Sequence, residues 1–100
     1  MTTAVRAPAL PDVPTVGEVV AGYEASGWNG VLAPKNTPVD IIEKLNVAIS
    51  AGLADPSIKT RLANLGATTL AGSPADFSKL IADETQKWAK VVRTANLKVD

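Results

Sequence analysis

Apolar and polar positions change their rhythm near residue 38, and that change divides the chain into an irregular first third and a helical remainder. From Pro38 to Ala54 the residues Ile41, Ile42, Leu45, Ala48, Ile49, Gly52 and Leu53 recur at steps of three and four, which predicts one apolar stripe on a helix. Asp40, Glu43, Lys44 and Ser50 fall mainly off that stripe. A second, shorter helix is predicted on Ile58, Leu62 and Leu65, with Lys59 and Arg61 outward and Gly66 as a left-handed C-terminal cap. The last helix, from Pro74 to about Ala95, carries Phe77, Leu80, Ile81, Trp88, Val91 and Val92 as its stripe. Asp83, Lys87 and Lys90 supply charge elsewhere along its length, and Asn96 is expected to end it before an extended Leu97–Val99 tail.

Each of these helices is announced by the same device. Thr37-Pro38, Asp55-Pro56 and Ser73-Pro74 place an oxygen-bearing cap before a proline, which loses nothing at the first helical position because that amide has no helical partner. Asp40 and Asp76 follow three residues after Thr37 and Ser73, where a carboxylate is favoured by the positive end of the helix. The three helices share this start signal only. Their stripes differ, so the chain is not a repeat array.

The first third lacks such periodicity. Pro8, Pro11 and Pro14 bias residues 1–14 towards an extended lead-in. Thr15 and Glu18 have capping-box spacing and predict a short helix to about Ala21, stopped by Gly22. The run Gly27-Trp28-Asn29-Gly30-Val31-Leu32-Ala33 reads as a short strand ended by Pro34, and Ala67 to Ala71 as a second. The expected class is therefore α+β and mainly helical, with three proline-started helices and two short strands, in a single structural unit over 1–100.

Composition narrows the functional classes. Ten basic against ten acidic residues give no net charge, so the field expected of a nucleic-acid binder is missing. No histidine or cysteine is present, which removes the usual serine and cysteine triads and the common zinc and copper ligand sets. No serine stands in a Gly-x-Ser-x-Gly elbow, and the glycines form neither a phosphate loop nor a dinucleotide fingerprint. Asp83 and Glu84 are helix neighbours that diverge by about 100 degrees, a poor acid and base pair. The expectation is a protein that is not an enzyme and needs no cofactor or metal. The N-terminal residues carry no secretory apolar core, and no run approaches the ~18 apolar residues of a membrane span. Only Phe77, Tyr23, Trp28 and Trp88 are aromatic, so large core anchors are few.

One string answers to no simple physical rule: Leu10-Pro11-Asp12-Val13-Pro14-Thr15-Val16-Gly17-Glu18, followed by Trp28-Asn29-Gly30, Ala33-Pro34 and Thr37-Pro38. Lys44-Leu45-Asn46, Ala54-Asp55-Pro56, Leu65-Gly66-Ala67, Ser73-Pro74-Ala75-Asp76-Phe77 and Glu84-x-x-x-Trp88 continue it in order. Together they resemble the C-terminal third of the solute receptors of tripartite tricarboxylate transporters, the Bug or TctC-like family of two-lobed periplasmic binding proteins. The resemblance implies a fragment of a periplasmic receptor that binds a small organic solute, often a carboxylate, and delivers it to membrane transporter subunits. It also implies that the fragment alone binds solute weakly or not at all.

Within that resemblance Trp28 and Asn29 are the candidate ligand contacts, since an aromatic face, an amide and a flexible glycine lie together where the chain returns between lobes. The structural alternative, a packing role, stands beside this for Trp28, and Trp88 on a helical stripe reads as core. Missing cover for the helix stripes predicts self-association, with a homodimer as its simplest form. The rival reading is a small helical protein-protein interaction module that docks through the Phe77 to Val92 face.

Overall fold

The computed structural model describes residues 1–98, and its order of elements is a single 3-10 turn, Val16–Glu18, followed by α1 (Val39–Ala54), α2 (Pro56–Asn64) and α3 (Pro74–Thr94). The α1 helix packs against both α2 and α3. Three mainly helical elements therefore stand as expected. The tail expected over Leu97–Val99 is described only to Lys98, and Val99 lies outside the described residues.

Two of the three helix starts follow the capping chemistry closely. Asp55 Oδ1 accepts from the amides of Ser57 (2.8 Å) and Ile58 (3.3 Å), ahead of Pro56 at the first position of α2. At α3 the Asp76 amide donates to Ser73 Oγ (3.1 Å) and the Ser73 amide donates back to Asp76 Oδ2 (2.8 Å), a reciprocal box. The first start differs. Thr37 Oγ1 donates to the Pro34 carbonyl (2.8 Å) and makes no cap bond, so Pro38 occupies the cap position and α1 begins at Val39. A turn over Pro34 to Thr37, with Asn36 at φ 70°, engages the threonine before the helix starts.

Helix ends are equally local. After α2, Gly66 takes φ +74°, the Ala67 amide reaches the Leu62 carbonyl (2.9 Å) and the Gly66 amide reaches Ala63 (2.9 Å), the double bond pattern of a Schellman motif. Asn96, at φ 51°, closes α3 in the same way, with Leu97 bonded to Val92 (3.0 Å) and Asn96 to Arg93 (3.2 Å).

The first third departs from expectation in three places. Residues 1–14 do not run out straight: Leu10 bonds back to Ala7 (2.9 Å) and Val13 to Leu10 (3.1 Å), forming two successive turns. Pro8 and Pro11 stand second in these turns, where the fixed proline φ is favoured, so the same ring that suits an extended chain also suits a turn. The helix predicted from Thr15 to Ala21 shrinks to one 3-10 turn, because three valines crowd it and Gly22, at φ +81°, redirects the chain. Neither short strand forms among the described residues. Residues 27–33 and 67–71 have suitable residue types, but their backbones find no ladder to join, and side-chain pattern alone does not make a strand.

Packing is sparse. Thr15 is the one buried residue among those described, and no apolar side chain is fully enclosed. On α1 the half-buried line runs through Ile42, Asn46, Ser50 and Leu53, while Ile41 and Leu45 of the predicted stripe stay exposed. Asn46 owes its place to a bond from Nδ2 to the Gly72 carbonyl (2.9 Å), which ties α1 to the entry of α3.

Candidate functional site

Residues 24–30 run along α3 as an irregular strap, from Lys87 at one end to Phe77 at the other, and the candidate site lies where the two meet. At one end Phe77, on the first turn of α3, presses its ring against Gly30: a Cβ added there would lie 2.1 Å from the ring. Only glycine permits that approach. The same ring meets Trp28 edge-on, with centroids 5.6 Å apart and planes at 89°, the geometry favoured by aromatic quadrupoles. Trp28 keeps 38% of its surface exposed.

At the other end charge does the holding. Lys87 Nζ donates to Glu24 Oε2 (2.8 Å) and reaches Glu84 Oε1 at 3.5 Å, while Ser26 Oγ donates to Glu24 Oε1 (2.7 Å). The Trp88 indole Nε1 donates to Glu84 Oε2 (2.8 Å), one helical turn back, and Lys87 lies 5.6 Å from the Trp88 ring centroid. Lys87 holds the Glu24 carboxyl below the usual carboxylate range, with Ser26 assisting, and the lysine is correspondingly raised by Glu24.

Between these fixings lies a shallow groove of about 450 Å³, lined by Ala25, Ser26, Gly27, Trp28 and Trp88. A larger hollow, of about 630 Å³, runs along α3 from Asp83 to Arg93 but has only that helix for its wall. The groove is the better candidate because two chain segments form it. None of its lining side chains is charged, so it offers an aromatic face and no cation of its own. No group of three or more metal-ligating side chains occurs among the described residues.

Of the two residues singled out from sequence, Trp28 faces this groove; Asn29 is exposed and does not line it. Trp88, expected in a core, is 41% exposed and forms the opposite wall. Glu24, Ser26, Glu84 and Lys87 were not anticipated as a group. The spacing Glu84-x-x-x-Trp88 places carboxylate and indole on one helix face, but nothing local pairs Glu24 with a lysine 63 positions away.

Residues 1–97 match the profile of the TctC family, described as the tripartite tricarboxylate transporter family receptor. The chain belongs to this receptor family. BugT of Bordetella pertussis is 39% identical over 97 residues, 94% of this chain and 29% of BugT. A UPF0065 protein from the tcbD-tcbE intergenic region of Pseudomonas sp. (strain P51) is 38% identical over 94 residues, 92% of this chain and 28% of that protein. Among solved structures, R. palustris Rpa4515 with adipate superposes with a TM-score of 0.86 at 40% identity, covering 95% of this chain and 32% of that one. The chain thus spans under a third of the length of these TctC-family relatives. No helix among the described residues is long and apolar enough to cross a membrane.

Proposed function

We propose that this chain is the C-terminal third of a periplasmic receptor that binds a small organic carboxylate and passes it to the membrane subunits of a tripartite tricarboxylate transporter, without catalysing a reaction. The observation that carries this reading is the superposition on an adipate-bound structure with a TM-score of 0.86 at 40% identity. In this reading residues 1–100 act as one structural unit, and Trp28 and Asn29 stand at the cleft edge. Trp28 then covers the apolar part of a ligand. The carboxylate grip comes from elsewhere in a longer receptor, since no cationic side chain lines the groove.

Weak solute binding by the 100-residue chain alone follows, and titration calorimetry with adipate tests it. No measurable heat is expected from the chain, and one-to-one binding is expected from a receptor of the relatives' length. In that longer receptor Trp28→Ala should weaken binding by about tenfold, equivalent to about 1.4 kcal/mol. A tight complex with the isolated chain would overturn the weak-binding claim, and a full-length receptor indifferent to dicarboxylates would overturn the solute class.

A second reading, a helical protein-protein interaction module, draws on the exposure of Trp88, Val91 and Val92, at 41%, 43% and 39%. These three continue one face of α3. A chain that remains a compact monomer and docks a partner there would favour the module; a homodimer that covers the face would favour the receptor piece.

A further inference from the structure

We propose that Gly30 and the Glu24–Lys87 pair are positioning residues for Trp28, fixing residues 24–30 as a strap along α3 and thereby setting the angle at which the indole faces the groove. The strap has few backbone fixings: within 24–30, the Ala25 amide bonds to the Thr2 carbonyl (2.8 Å). Its course is therefore set by side chains, and they act at its two ends. Gly30 admits the Phe77 ring to a place where any Cβ would collide with three of its atoms, at 2.1, 2.6 and 2.9 Å. That ring is the surface on which Trp28 rests edge-on. Moving the ring by the width of a methyl group moves the support of the indole.

Glu24 anchors the opposite end through Lys87, and the polar groups around that pair are the Glu84 carboxylate on α3 and the neutral Ser26 hydroxyl on the strap. Lys87 is the shared cation of both carboxylates. Its loss leaves one negative charge on the strap and another on α3 without their shared cation, which favours lifting the strap away from α3. The Trp88 to Glu84 hydrogen bond remains within α3, so the opposite wall of the groove keeps its own support.

The strap is independent of whether a carboxylate is the ligand, and its test uses no ligand. In this chain carrying Trp88→Phe, which keeps a ring in the groove wall and gives up the bond to Glu84 in every variant alike, Trp28 is the remaining tryptophan and its emission reports its surroundings. Gly30→Ala should shift that emission to the red and raise quenching by acrylamide, with helix content by circular dichroism unchanged. Phe77→Leu, which removes the ring on which the indole rests, should by itself produce the same red shift. Lys87→Glu should produce a similar red shift, and Glu24→Lys with Lys87→Glu should reverse it. Emission unchanged in Gly30→Ala and Lys87→Glu at full helix content would overturn the proposal. If Gly30→Ala loses its helices, the charge-swap pair decides: reversal supports the strap, and no difference between single and double variants overturns it. Calorimetry with adipate reads the receptor assignment separately.

Discussion

The Glu18 carboxylate accepts from Arg6 at Nε (2.7 Å) and Nη2 (2.5 Å) and from the Thr15 amide (3.0 Å), binding the N-terminal turns to the one buried residue among those described. Arg6 foremost, then the Thr15 amide, lowers its pKa from 4.5 to about 2. The folded state thus prefers the ionised form. Its stabilising contribution is complete above about pH 4.5 and is lost as pH falls towards about 2. Protection of the Thr15 amide, taken relative to the intrinsic exchange rate at each pH, should fall across that window, and Glu18→Ala should be poorly protected already at neutral pH; equal protection in the two proteins would refute the link. The exposed pair should also weaken with added salt. A second residue-scale test concerns the left-handed helix ends. Gly66→Ala should cost about 1 to 2 kcal/mol, read as a lower urea midpoint, because φ +74° brings a Cβ against its own backbone. Asn96→Gly should be neutral or mildly stabilising, since asparagine tolerates that region less well than glycine.

Helix starts and stops were legible because their causes are local. Ser73-x-x-Asp76 and Asp55-Pro56 contain within four residues every atom that caps α3 and α2. Ser73→Ala should therefore cost about 1 kcal/mol and fray the first turn of α3, visible as reduced helix content on mild heating; unchanged melting would mean the cap is replaced by its surroundings. Thr37 shows the limit of this reasoning. Its hydroxyl has the right spacing for α1, yet the nearer Pro34 carbonyl takes it. The predicted strands failed for a different reason, since a strand is completed by a partner that a single segment cannot specify. The site was half legible. Trp28 drew attention through its aromatic face beside glycines, whereas the Lys87 that holds its strap looked like one more solvated charge on α3. Only folding brings Glu24 beside it.

The whole molecule exposes far more surface than its mass suggests. A compact protein of 10.3 kDa has about 5,400 Å² of accessible surface, and this chain has 8201 Å². Its radius of gyration is 16.6 Å, against about 13 Å for a compact domain of this length. Large apolar side chains share in this exposure: Val39 and Val47 on α1, Leu65 at the end of α2 and Leu70 beyond it are each more than two-thirds exposed. Good local structure with little burial is an imbalance, because capping contributes about 1 kcal/mol per site whereas ordering each residue costs a similar amount. Association that buries these faces restores the balance, and it makes folding depend on concentration. Light scattering after size exclusion should therefore give a dimer at high concentration, with melting temperature rising as the chain is concentrated. In the dimer the Trp88 to Val92 face should be protected from exchange. A monomer whose melting temperature ignores concentration would refute association, and would require the helices to be stable on the three-helix contacts alone.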